Sequence, residues 1–299
     1  MTLINNAASV HQRILHKASA EHKPFNELLQ YYAIERFLYR LGESPHCNQF
    51  VLKGALVFLA WRAPLTRPTR DIDFLGYTSN SVDNLVQIVQ DVCVQPVETD
   101  GMIFDSTSVQ GEIIKEEADY QGVRVSFLGF LGNAQIHMRL DIGFADVVTP
   151  SPGELELPTI LENMSKPCIR AYPPETVIAE KFQAMIVLGM INSRMKDFYD
   201  IWFMAQSMEF DFHLLREAVL NTLNRRKTDI PKETPTAFAN EFADQKQVLW
   251  AVFLKKNQIE DAPKSLVDTI QVLKVFLGPI ISPTEKRVSH WFPQVGWKE

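Results

Sequence analysis

The 299-residue sequence predicts an α+β protein, a mixed sheet with flanking helices followed by a C-terminal helical lobe. Three observations carry that prediction. Short β-favouring runs at 50–53, 70–75 and 123–144 fall in the first half. After Pro173 and Pro174 apolar residues recur almost throughout at helical spacing. Between them, Thr149-Pro-Ser-Pro-Gly153 reads as a hinge. The boundaries drawn are an N-terminal helical segment at 1–48 packing on the core, an α/β lobe at 49–152 and a helical lobe at 153–299.

Taken in order, residues 25–41 (FNELLQYYAIERFLYRL) carry a helical period, and Gly42 supplies the stop. Residues 50–53 read as a strand ending at Gly54, and 55–61 as a helix that follows the turn. Pro64 and Pro68 punctuate the next loop. Residues 70–75 alternate as a strand does, and 81–94 read as a helix. The runs 123–131 and 136–144, on either side of Gly132-Asn-Ala-Gln135, form a hairpin. In the second half a helix at 175–188 breaks at Gly189-Met-Ile-Asn192, and another runs through 193–205. Three more follow near 211–225, 235–256 and 264–277. Pro279, Pro283 and Pro293 make the tail irregular.

Composition bounds the function. With 46% apolar and 22% charged residues the chain buries a full core. No stretch approaches the roughly 20 apolar residues of a membrane span, and MTLINNAASVHQRILHKAS lacks the apolar centre of a secretory signal. Cys47, Cys93 and Cys168 have no metal spacing, so a cytoplasmic protein is expected, with no membrane partner. The net charge of −6 argues against a protein that coats nucleic acid. Local basic clusters stand at Arg62, Arg67 and Arg70, at Arg225, Arg226 and Lys227, and at Lys255 and Lys256. Only the first leads into an acidic motif. The seven histidines lack ligand spacing, although His137 shares a strand face with Asp141. Trp291, Phe292 and Trp297 are read as packing groups, and no G-x-S-x-G nucleophile motif occurs.

The chemistry concentrates in Arg70-Asp71-Ile72-Asp73-Phe74. Residues two apart on a strand share a face, so both carboxylates project together. Their repulsion is relieved by a hard divalent cation, which takes oxygen ligands. A bare D-x-D is common, but its context is specific. Lys53-Gly54-Ala55 follows a strand and opens a helix, a turn that lets backbone N–H groups approach a phosphate. Asp141, in the apolar Leu140-Asp141-Ile142, is costly to bury unless paired or metal-bound. Strand, small-residue turn, helix, D-x-D and a later strand Asp form the ordered signature of the polymerase-β-like nucleotidyltransferase fold. In the helical lobe Arg194, Asp197 and Asp200 share a helix face. Lys181, on the preceding helix, can join them.

The sequence resembles the AbiEii/AbiGii-type nucleotidyltransferase toxins of bacteria from about Pro24 to Gly278. The resemblance rests on FVLKG at 50–54, RDIDF at 70–74, DIGFAD at 141–146, YPPETVIAEK at 172–181, RMKDFYDI at 194–201 and TLNRR at 222–226. It implies NMP transfer from an NTP with Mg²⁺ (or Mn²⁺). By that resemblance Asp71 and Asp73 would hold the metal, Lys181 would meet nucleotide phosphates, and Asp197 would complete the catalytic set; Asp141, read from its strand as the third metal carboxylate, would help activate the attacking hydroxyl, through the metal or as a base. Lys53, Gly54, Ala55, Arg70, Arg194, Lys196 and Asp200 form the wider nucleotide-binding group, with Asp200 orienting Arg194 as its alternative role. Some relatives extend the 3′ end of tRNA, which makes an RNA the expected acceptor and a cognate antitoxin the expected partner. Protein nucleotidylation and a non-catalytic nucleotide- or partner-binding module are the alternatives. Two departures stand out: Ala55 where relatives carry a second Gly or a Ser, and a longer spacing from Gly54 to Asp71.

Overall fold

The computed structural model describes residues 6–61, 69, 71–115, 121–282 and 289–299. Arg62, Pro64, Arg67, Pro68, Arg70 and Pro283 lie outside these. The chain divides into two compact units. One is Met1–Ala145 with Pro152–Tyr172, the other Asp146–Ser151 with Pro173–Glu299. Secondary structure is α+β, as the sequence predicts.

Among the described residues the first unit holds α1 (Ala7–Ala20), α2 (Phe25–Glu43), β1 (Phe50–Lys53), α3 (Val57–Ala60), β2 (Asp71–Gly76) and α4 (Val82–Cys93). It continues with β3 (Met102–Lys115), β4 (Gln121–Leu131), β5 (Ala134–Phe144), β6 (Gly153–Glu156) and β7 (Cys168–Ala171). These strands form one mixed sheet in the order β3-β4-β5-β2-β1-β7-β6. β2 runs parallel to β5 and β1 parallel to β7, while the other neighbours are antiparallel. Strand β5 shows why one face is dry. Ile136, Met138, Leu140 and Ile142 are buried, whereas Gln135, His137 and Arg139 between them are exposed. Alternation thus gives the sheet an apolar side and a polar side.

Helix α2 packs on the apolar side, where Phe37 meets Phe127 and Phe104 at ring-centroid distances of 4.9 and 5.6 Å. It is buried nearly all round and carries charged groups into the interior. Arg40 pairs with Asp100 at 2.6 Å, and Glu35 pairs with Arg36 at 2.6 Å. Gly42 does not end α2, which continues to Glu43. A Cβ there would lie 2.6 Å from the Cys168 carbonyl oxygen, so this glycine permits close approach of α2 to β7. The helix expected at 55–61 is a 3₁₀ turn, Gly54–Leu56, that runs into the short α3. Residues 153–172, read from the sequence with the helical lobe, supply β6 and β7 to the sheet.

The second unit contains α5 (Pro174–Leu188), α6 (Met195–Ser207), β8 (Phe210–Asp211), α7 (Phe212–Arg225), α8 (Asn240–Lys256), α9 (Leu266–Ile281), β9 (His290–Phe292) and β10 (Gly296–Lys298). Aromatic pairs fill its core, among them Phe182 with Phe238 and Phe198 with Phe242 at 5.7 and 5.3 Å. The tail is more regular than its prolines imply. β10, β9 and β8 form a small antiparallel sheet, and Pro279 is accommodated inside α9. Trp291 is buried and donates its indole N–H to the Ala205 carbonyl, and Trp297 donates to that of Phe276. Both are packing groups, as expected. No helix among the described residues is long and apolar enough to cross a membrane.

Candidate active site

The polar side of the first unit's sheet carries the acidic motif. In β2, Ile72 and Phe74 are buried while Asp71 and Asp73 are partly exposed, the shared face that the D-x-D spacing predicts. Register then extends the pair sideways. Lys53 of β1 stands opposite Asp73, Asp73 opposite Asp141 of β5, Asp141 opposite Arg124 of β4, and Arg124 opposite Glu112 of β3. Directly paired residues point to the same side of a sheet. Five strands thus contribute one row of alternating character: cation, two anions, cation, anion.

Arg124 donates from Nε to Asp141 Oδ1 and from Nη2 to Oδ2, each at 2.7 Å, a two-pronged guanidinium–carboxylate pair. The hydrogen bond to Asp141 is the main reason the guanidinium's pKa is raised above its ordinary value. Asp71 has a looser partner in Arg139, at 3.4 Å, and both side chains are at least 40% exposed. An exposed pair of that length contributes little.

Gly54 fixes Asp73 from the other side. Its φ is +72°, and a Cβ built there would fall 2.0 Å from Asp73 Oδ2. A side chain at 54 and the Asp73 carboxylate would claim the same space. The small-residue turn after β1 and the second Asp of the motif are therefore one packed piece.

The second unit holds the other expected group. Lys181, midway along the apolar helix α5, places its ammonium 2.7 Å from Asp197 and 2.7 Å from Asp200 of α6. Arg194 Nε lies 2.8 Å from the far oxygen of Asp197, whose side chain is fully buried. Burial alone would raise the Asp197 carboxyl, but Lys181 and Arg194 outweigh it and hold it below the usual carboxylate range. Burial also opposes charging Lys181, and the two aspartates reverse that effect and raise its pKa. Asp200 meets Lys181. Lys196 is half-buried on the same helix. Lys181 and Arg194 balance Asp197 and Asp200, so these four charges sum to zero.

Two groups escaped the sequence reading. Arg124 is one. The other is the set around Arg226, which reaches Asp146 at 3.1 Å, Glu180 at 3.2 Å and the Gln183 side-chain oxygen at 3.1 Å. Arg226, Asp146 and Glu180 lie inside motif runs quoted above, which gave a signal without naming the partners, whereas Arg124 lies in none of them.

A mixed sheet with an in-register acidic row behind a glycine turn defines the class, a nucleotidyltransferase-type α+β protein. The family model described as nucleotidyl transferase AbiEii toxin, type IV toxin–antitoxin system, matches residues 36–272, and the chain belongs to that family. No curated protein matches the sequence. Two crystal structures from Helicobacter pylori are similar to it over 82% of its length, each at 18% identity and a TM-score of 0.42. One is a proposed nucleotidyltransferase, 90% covered, and the other is JHP933, 87% covered.

Proposed function

We propose that this chain transfers a nucleoside monophosphate from an NTP to an acceptor hydroxyl, an RNA 3′ end such as that of tRNA, as the toxin of its pair. The observation that carries the reading is the polar side of the sheet, where Asp71 and Asp73 of β2 stand beside Asp141 of the parallel β5. A divalent cation fits part of this row. Asp71 and Asp73 are partly exposed hard oxygen donors on one strand face, and Mg²⁺ commonly takes one or two carboxylates and completes its shell with water and phosphate. Asp141 fits less well, since both its oxygens already accept from Arg124. Among the described residues no group of three His, Cys, Asp or Glu is placed to hold a metal.

When bound, Mg²⁺ or Mn²⁺ supplies neutralising charge at the triphosphate. The chain's own residues do the rest. Gly54 leaves room for the Asp73 carboxylate, and Asp71 and Asp73 present two oxygen donors on one face of β2. In the reaction the acceptor oxygen bonds to the α-phosphorus, the bond to the β-phosphate breaks, and pyrophosphate leaves. The hydroxyl proton passes to a carboxylate of the row. In the helical unit we assign Lys181, supported by Arg194 and Lys196, to nucleotide phosphates, with Asp197 and Asp200 holding the lysine charged and fixed. An antitoxin partner is expected from the family.

The test uses purified protein, Mg²⁺, each α-labelled NTP in turn and total RNA, with Asp71→Ala/Asp73→Ala as control. Label entering a tRNA-sized band with wild type alone supports the reading and names the nucleotide. Label on protein moves the acceptor to a side-chain hydroxyl. Equal labelling by the control sinks the assignment of the two carboxylates.

A further inference from the structure

The three aspartates are not equivalent. Asp73 is seated against Gly54, and Asp71 has a distant and exposed partner in Arg139. Asp141 is gripped by both prongs of one guanidinium, with the Arg124 and Asp141 side chains 29% and 18% exposed. Partial burial strengthens such a pair and shields it from salt. The guanidinium half of this pair stays protonated at every accessible pH. Bringing a divalent cation to Asp141 would break two charge-assisted hydrogen bonds or set the metal beside a fixed positive charge. The repulsion between Asp73 and Asp141, neighbours in register, is already offset from the Arg124 side.

We infer that Arg124 withholds Asp141 from the metal, so that the divalent-cation site of this chain is built on Asp71 and Asp73 alone. Asp141 is then a positioning residue, which holds the Arg124 guanidinium at the end of the acidic pair where a phosphate-bearing substrate would meet it. This inference rests on the metal-dependent reading above and sharpens it.

Direct Mn²⁺ binding to the full chain, measured by calorimetry and by the electron paramagnetic resonance signal of free Mn²⁺, reads this without turnover. Asp73→Asn should weaken binding by about tenfold or more, while Asp141→Asn changes it by less than about threefold. Arg124→Gln, by releasing Asp141 as a third ligand, should tighten binding by about threefold or more. The double variant Arg124→Gln/Asp141→Asn leaves neither charge unpaired, which protects it from misfolding, and should return to the wild-type affinity. Asp141→Asn as damaging as Asp73→Asn overturns the inference, and so does Arg124→Gln without tightening. Wild type that binds no Mn²⁺ removes the metal reading itself, and this inference with it. Wild type that binds while Asp141→Asn does not leaves the metal reading standing and overturns only the inference.

Discussion

Gly54 shows how much one residue position can fix. Its backbone lies in the left-handed region, which costs a residue with a Cβ about 1–2 kcal/mol. A Cβ would also displace the Asp73 carboxylate. Gly54→Ala should therefore lower stability by about 1–2 kcal/mol and reduce nucleotidyl transfer by about a hundredfold. Urea denaturation beside the labelled-RNA assay checks both, and a fully active Gly54→Ala protein would refute the coupling. The glycine was legible as a turn but not as a carboxylate's seat, because the register that brings residue 73 against residue 54 joins strands separated by the loop. Arg124 was hidden for a related reason. Reading the hairpin break as the four residues 132–135 sets Arg124 opposite Gly143. The actual turn has two residues, Gly132 with φ +59° and Asn133, and that shift of two places Arg124 on Asp141.

At the scale of elements, helical period and strand alternation located most of the chain, with α2, β1, β2, α4 and the β4–β5 hairpin near their expected positions. Strand β3 went unread because its alternation is interrupted. The register shifts between Asp105 and Gln110, where polar Ser106, Thr107 and Ser108 bulge out of the pattern. The α5–α6 pair was legible as helices with charges on one face of α6 that Lys181 can join, and the structure holds both the Arg194–Asp197 pair along α6 and the tie from α6 to α5. Lys181 links the helices through Asp197 and Asp200. Removing one partner of a buried pair costs roughly 3–5 kcal/mol. Lys181→Met should lose stability on that order, and Lys181→Met/Asp197→Asn should lose less than the two single changes added together. Denaturant midpoints of the four proteins decide this. An unchanged midpoint for Lys181→Met, together with weakened NTP binding, would instead leave the lysine a purely phosphate-directed role.

For the molecule as a whole, stability against pH carries a signature of its buried acid. Burial, opposed by Arg36 and the Ile160 N–H, pushes the Glu35 carboxyl up to about 7 from an ordinary 4.5. A folded pKa raised above the unfolded one means the native state binds the extra proton. The resulting stabilisation is full below pH 4.5 and is lost as pH rises through about 7. The change is on the order of 3 kcal/mol. Measured by Tm from pH 4.5 to 8, wild type should fall relative to Glu35→Gln across that window. Parallel curves would show that Glu35 is ionised in both states. The sequence reading drew its hinge at the proline-rich stretch near 150, and the path of the chain was not legible there. Short strands such as β6 and β7 carry too little periodicity to be assigned to a distant sheet. That path governs how the gene can be divided. The polypeptide crosses between units three times, so no single cut releases either one intact. A product ending at 152 would leave β1 without β7, exposing a bare sheet edge of the kind that seeds aggregation. The complementary product would lack Asp146 and Thr149, the partners of Arg226 and Thr176. Anyone dissecting this protein would do better with point changes in the whole 299-residue chain than with fragments.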